Sequence, residues 1–224
     1  MKRFLVLALV ASVIFSIVPY SSAQTEDTSL IGATSEIVKI GITLTKSSVQ
    51  SGDFRSAEQY SKFTTDFYSQ QIMTLRESNA QSVDDLHLLL IDIHSKIASG
   101  KTDSIITDLD LAIQYLDKFP RSDQTPFIIY NMLSVADHAY QVAKSDDNFT
   151  QYVISTTIVE RASTLFDSDN SFDARQKGEI QSFFAELKSN INDKKEFVIV
   201  GKLVTTIQRD IAGTDVLVMD SGNL

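Results

Sequence analysis

Residues 82–119 read SVDDLHLLLIDIHSKIASGKTDSIITDLDLAIQYLDKF. Val83, Leu86, Leu90, Ile93 and Ile97 alternate spacings of three and four, the seam of a helix in a bundle. Ser82-x-x-Asp85 is a capping signal at its start, and Gly100 offers the left-handed turn that ends it. Thr102 is placed to cap a second helix, which turns Ile105, Leu109, Ile113 and Leu116 inward. Asp103, Asp110 and Asp117 recur once per two turns as a separate stripe, expected to face solvent.

The apolar pattern of this hairpin returns at an offset of 94 residues. Leu86, Leu90, Ile93 and Ile97 fall on Ile180, Phe184, Leu187 and Ile191. Continued without a gap, Ile105, Leu109 and Ile113 fall on Ile199, Leu203 and Ile207. The preceding turns, Ser51-Gly52-Asp53-Phe54 and Asp146-Asp147-Asn148-Phe149, correspond once a few residues are deleted from the second copy. The expected fold is all-α, with two up-and-down four-helix units in tandem (24–119 and 125–212) related by an internal duplication. The repeat also decides Glu196–Val204: its β-branched residues favour a strand, but its register makes it the last helix of the second unit.

Working outward, Leu30, Ile37, Ile40, Leu44 and Val49 mark a first helix, closed by Ser51-Gly52-Asp53. A second runs from Phe54 to about Glu77, with Tyr60, Phe63 and Phe67 on one side, a stripe expected to pack in a core; Ser78-Asn79-Ala80 closes it. Phe119–Gln124 reads as a linker. Beyond it Thr125 caps a helix with Pro126 in the first helical position, running to about Lys144. The next helix carries Phe149, Tyr152, Val153, Val159 and Phe166, and the one after it Ile180, Phe183, Phe184, Leu187 and Ile191. Residues 213–224 form a tail whose apolar patch, Val216–Met219, is expected to dock onto the body.

The N-terminus has the marks of a signal peptide, residues 1–23: basic Lys2 and Arg3, an apolar run from Phe4 to Val18, and small residues at Ser21 and Ala23. The mature chain is therefore expected to be secreted, periplasmic or at the cell surface. Formal charge is −9, or −11 without Lys2 and Arg3. An acidic chain lacking a basic cluster repels phosphate backbones, which argues against nucleic-acid partners. With no cysteine in 224 residues, disulfide frameworks and thiolate metal sites are excluded.

Few residues suggest chemistry. His87 and His94 lie on one side of their helix, seven residues and thus ~10 Å apart, too far to share an ion directly. Asp84, one turn before His87, could form an edge with it, completed by Asp108 or Asp110 from the neighbouring helix; iron or zinc would suit such donors. The second unit has Gln181 and Lys188 where the histidines would be. Asp137-His138 stands near Tyr140, but no Ser sits in a G-x-S-x-G turn, and neither an H-E-x-x-H helix nor a phosphate loop is present. Asp167-Ser168-Asp169-Asn170 has calcium-like acids without the glycine and terminal Glu of a binding loop. Asn148-Phe149-Thr150 matches the N-glycosylation pattern.

The run Ser51-Gly52-Asp53-Phe54-Arg55-Ser56-Ala57-Glu58, followed by an aromatic helix, the segment 82–97 and Gly100, resembles the extracytoplasmic helical region of some bacterial iron permeases over about residues 37–116. The same G-D-[YF]-x-x-A turn occurs in tetratricopeptide-type helical pairs, though at a different period. The permeases' Arg-Glu-x-x-Glu iron motif has no counterpart here, so no functional residue carries over. The resemblance implies an exported helical module accompanying metal transport. The residues themselves favour a non-enzymatic binding or scaffolding bundle with a cell-surface or membrane-protein partner; an extracytoplasmic iron- or zinc-handling protein using Asp84, His87 and His94 is the alternative.

Overall fold

Helical periodicity decides the backbone throughout. The computed structural model describes residues 23–100, 104–119 and 124–213, and among them there is no strand. The helices are α1 (Ala23–Ser51), α2 (Phe54–Ala98), α3 (Ile105–Leu116), α4 (Thr125–Ser145), α5 (Phe149–Ser168), α6 (Ala174–Asn192) and α7 (Phe197–Ala212). The β-branched run after Glu196 is helical because Val200, Val204, Ile207 and Ile211 bury one face at spacings of four, three and four. Tertiary burial overrides local propensity there. Residues 1–22 of the expected signal peptide, Thr102, Asp103, residues 120–123 of the linker and the tail patch Val216–Met219 lie outside the described residues.

Three expected helix starts move. Helix α2 is continuous in its hydrogen bonding but kinked at Asn79 (φ −166°, ψ 83°), giving limbs 54–78 and 80–98. The cap of the second limb is Asn79, whose Oδ1 accepts from Ser82 N–H at 3.1 Å, rather than a Ser82-x-x-Asp85 box. Ser82 is buried at that turn, so its amide is the donor needing a partner. Helix α3 starts at Ile105 behind Ser104 (φ 72°), and in α4 the cap position is Gln124, one residue before Thr125.

Two four-helix units are present, α1 with both limbs of α2 and α3, and α4 to α7. In each, the first helix packs on the second and the fourth, and the third packs on the fourth. The buried positions recur. Thr34, Ile37, Val38 and Thr45 of α1 correspond to Ile129, Met132, Leu133 and Tyr140 of α4, and Tyr60, Thr64 and Tyr68 to Ser155, Val159 and Ser163, all at an offset of 95. The third helices match at 94, as expected: Leu86, Leu90, Ile93 and Ile97 with Ile180, Phe184, Leu187 and Ile191.

The gapless continuation into the fourth helices does not hold. Ile105 is fully buried whereas Ile199 is 45% exposed, and the buried sets Ile105, Leu109, Ala112, Leu116 and Val200, Val204, Ile207, Ile211 correspond at 95. The interval from Ile191 to Val200 is one residue longer than that from Ile97 to Ile105, which shifts the buried face of α7 by about 100° from the expected register. The first turns likewise correspond at 95 without further deletion: Asp53 and Asn148 cap their helices through Ser56 N–H (3.1 Å) and Gln151 N–H (3.2 Å).

The units are not separate beads. Helix α1 is buried on two sides, with Ile31, Val38 and Ile42 in the core of its own unit and Ala33, Ile37 and Ile40 in that of the second. Tyr60 joins the second core, and Phe63 and Phe67 stack at 5.9 Å against it, so the aromatic stripe packs, partly across units. Arg161 to Glu36 (2.7 Å) and Thr150 Oγ1 to Gln59 Oε1 (2.5 Å) tie α5 to the first unit.

The aspartate stripe of α3 is less free than its period suggests. Asp110 accepts from Lys46 at 2.5 Å and Asp117 from Lys39 at 2.7 Å, seven residues apart on both helices as antiparallel α1 and α3 require.

Candidate functional site

The histidines of α2 are held by serines of its other limb. Ser61 Oγ lies 2.9 Å from His94 Nδ1, and Ser69 Oγ lies 2.9 Å from His87 Nε2. Each hydroxyl already gives its single proton to a backbone carbonyl, Ser61 to Glu58 and Ser69 to Thr65. With the hydroxyls donating in this way, the tautomers that satisfy both contacts have the ring nitrogens as donors. Asp84 is occupied by Arg76, whose Nη2 and Nε approach to 2.7 and 2.8 Å. Asp108 accepts from Lys96 at 2.8 Å, beside the Lys96–Asp92 pair, and these hydrogen bonds raise the lysine pKa. Among the described residues no group of three or more His, Cys, Asp or Glu side chains is placed to hold a metal ion, so Asp84, His87 and His94 do not converge on one centre.

Two other sequence candidates are likewise placed. Around Asp167–Asn170 a cation is already present: Lys177 Nζ donates to the carbonyls of Asp167 (2.8 Å) and Asp169 (2.7 Å). Asp137, His138 and Tyr140 do not share a face. His138 is exposed, while Tyr140 donates to Lys195 O at 2.6 Å and burial pushes its hydroxyl up to about 12. Asp137 points between α4 and α7, where Oδ2 accepts from Gln141 at 2.8 Å and Oδ1 is buried without a partner. Its carboxyl pKa is raised by that desolvation. A Cβ on Gly201 of α7 would sit 3.3 Å from Oδ1.

The region the sequence did not single out is one end of the molecule. Gln59 meets Thr150 near the starts of α2 and α5, and Tyr140, Lys144 and Tyr152 reach carbonyls of Lys195, Lys194 and Ile191. With α1 antiparallel to α3, these contacts bring the turns at Gly52, Gly100, Asp147 and Lys194 to the same end, here termed the apex. At the apex the first residues of three helices are exposed: Phe54 (43%), Phe149 (68%) and Phe197, Val198 and Ile199 (45, 52 and 45%). Side chains of this size are normally turned inward, and the set exposed at this end is here termed the crown; Met73 and Leu88 of the first unit are exposed to a similar degree.

Behind Phe149 lies a cavity of about 130 Å³, lined by Lys144, Asp147, Asn148, Phe149, Tyr152 and Lys194. Phe149 and Tyr152 stack at 6.3 Å, and Lys194 Nζ lies 5.5 Å from the Tyr152 ring. Asn148, the glycosylation candidate, is the cap of α5, and Thr150 is buried on Gln59. No family model matches the chain, and no curated protein or solved structure matches it either. The likeness to iron permeases therefore stands on the quoted residues alone.

Proposed function

We propose that this chain is an exported, non-enzymatic helical-bundle module that binds a partner at the cell surface or in the periplasm through its apex. The observation that carries the reading is the apolar crown: Phe54, Phe149 and Phe197–Ile199, exposed together at one end. Rigid helix starts hold these side chains in place, so docking them costs little conformational entropy. Three aromatic side chains with two aliphatic ones at one end resemble the composition of a protein–protein contact more than a solvated surface. Export rests on the N-terminal sequence, Lys2 and Arg3 followed by an apolar run and Ser21 and Ala23. The non-enzymatic reading is supported by the hydroxyls of Ser61 and Ser69, each of which donates to a backbone carbonyl of its own helix. The acidic charge of −9 disfavours nucleic acid.

Photo-crosslinking in the expressing cells tests this. A crosslinker at Phe149 or Phe197 is expected to trap one distinct protein, and a crosslinker at Phe127, exposed at the start of α4 and so at the opposite end, is not. Equal trapping from both ends, or none from the apex, would overturn the reading.

A further inference from the structure

The two units can be read against each other, position by position, and at the apex they differ in one consistent way. The first unit turns its corners on Gly52 (φ 78°) and Gly100 (φ 71°). The second turns the same corners on Asp147 (φ 49°) and Lys194 (φ 52°). The turn hydrogen bonds are the same: Asp53 N–H to Ser48 O and Asn148 N–H to Ala143 O, Gly100 N–H to Ile97 O and Lys194 N–H to Ile191 O. Nothing in the backbone therefore calls for a side chain at either corner. A left-handed L-residue is strained where glycine is not, less for aspartate, which visits this region more readily than most, than for lysine. Both strained residues line the same cavity. Two further lining residues are gains of the second unit: Lys144 stands where the first has Val49, and Tyr152 where it has Ala57.

We propose that this cavity binds a small zwitterion of the α-amino acid class. Among the described residues neither the Lys194 ammonium nor the Asp147 carboxylate has an ion-pair partner, whereas Lys144 is engaged by Lys194 O at 3.0 Å and by Glu196 at 3.9 Å. The Lys194 ammonium, 5.5 Å from the Tyr152 ring, and the exposed Asp147 carboxylate stand around one cavity and suit a ligand carrying both opposite charges. A simple anion would meet Asp147, and a simple cation would meet Lys194. The stacked Phe149 and Tyr152 rings supply the apolar wall. The cavity is open to solvent on one side, and its volume of about 130 Å³, roughly that of four waters, has room for the amino and carboxylate groups of such a ligand. Two left-handed side chains line this cavity where the aligned turns of the first unit have glycine, while a third, Ser104, lies outside it.

The inference is independent of the crown's partner, since crosslinking at Phe197 can fail while this cavity is occupied, and the reverse. The test is protein-observed NMR titration of the whole chain with glycine, and separately with acetate and methylamine as its two halves. Glycine is expected to saturate with a Kd on the order of 1–10 mM. The variants Lys194→Gly and Asp147→Gly restore the first unit's residues, so each should fold with an unchanged or higher Tm while binding glycine at least about tenfold more weakly. Ser104→Gly, at a left-handed position outside the cavity, should leave glycine binding unchanged. The proposal is overturned if wild type shows no saturable response to glycine, if either variant binds as wild type does, or if acetate binds as tightly as glycine.

Discussion

The distance between α1 and α2 is set by a missing side chain, and adding one gives a measurable test of how this bundle packs. A Cβ on Gly41 would lie 2.0 Å from Thr64 Oγ1, 3.1 Å from its Cβ and 3.4 Å from its Cγ2. Thr64 is 1% exposed, and its hydroxyl is held by Tyr60 O at 2.7 Å. It cannot turn away without giving up that bond in a dry environment, a loss of about 1 kcal/mol. Forcing the extra carbon in without that rotation costs about 1–3 kcal/mol, and alanine's better helix propensity returns up to about 1 kcal/mol. The net expectation for Gly41→Ala is a loss of about 1–2 kcal/mol, seen as a Tm lower by about 2–8 °C in circular dichroism. Thr64→Ala removes the two atoms that can be removed, leaving only the 3.1 Å Cβ approach. The double variant should therefore be more stable than the two single losses predict, by an interaction term of about 1 kcal/mol or more. A Gly41→Ala protein at least as stable as wild type, or strictly additive losses, would refute the claim that this contact fixes the helix spacing.

Asp137 gives a second expectation, with a pH signature. Burial raises its carboxyl pKa, so the folded state holds the proton more tightly than the unfolded chain; the associated stability is present below the unfolded pKa and is lost as pH rises through the folded one. Asp137→Asn should raise Tm at pH 7, and that advantage over wild type should shrink as pH falls towards 4; a constant difference across the range would refute the assignment. At the kink, Asn79→Ala removes the cap on Ser82 N–H and should cost about 1 kcal/mol by denaturant titration. The kink itself should persist, because Tyr68 donates to Val83 O at 3.1 Å across it, so an unchanged stability would show that Asn79 does not hold this amide.

What the sequence made legible was whatever repeats at the helical period. Leu86, Leu90, Ile93 and Ile97 identify both their own helix and its partner α6, because burial on one face leaves a trace at every turn. The phase of α7 left no such trace. Ile199 and Val200 are both apolar and β-branched, so either register gives a plausible seam, and only the length of the turn before it decides. The pairing of Asp110 and Asp117 with Lys46 and Lys39 was invisible for another reason: the lysines are 64 and 78 residues away on a different helix. The same holds for His94 and His87, whose serines stand on the far limb of α2. The apex did leave a signal, in charged residues at Asp147 and Lys194 where aligned turns of the first unit have glycine. Reading it requires the alignment at 95 and at 94 that the structure supplies.

That alignment also shows where the second unit departs from the economical solution. Ile42, buried in the first unit, becomes Asp137 with an unpaired oxygen, and Ile106 becomes Gly201, which leaves room for it. Gly52 and Gly100 become strained Asp147 and Lys194. The fourth helix gains a first turn, Phe197–Ile199, that exposes three apolar side chains. Each change carries a local cost that the first unit does not bear at the aligned position, although that unit has costs of the same kind at Ser104 (φ 72°) and at the unpartnered Thr34 Oγ1. They are not scattered: Asp137 and Gly201 face each other between α4 and α7, and the remainder sit at the apex where those two helices meet. Local rules broken close together are a mark expected of a functional site. The first unit has one unpartnered buried oxygen of its own, Thr34 Oγ1, whereas α2's histidines are held by Ser61 and Ser69. Activity is therefore to be sought at the α4–α7 edge and its apex, and variants there should alter binding while equivalent substitutions in the first unit alter only stability.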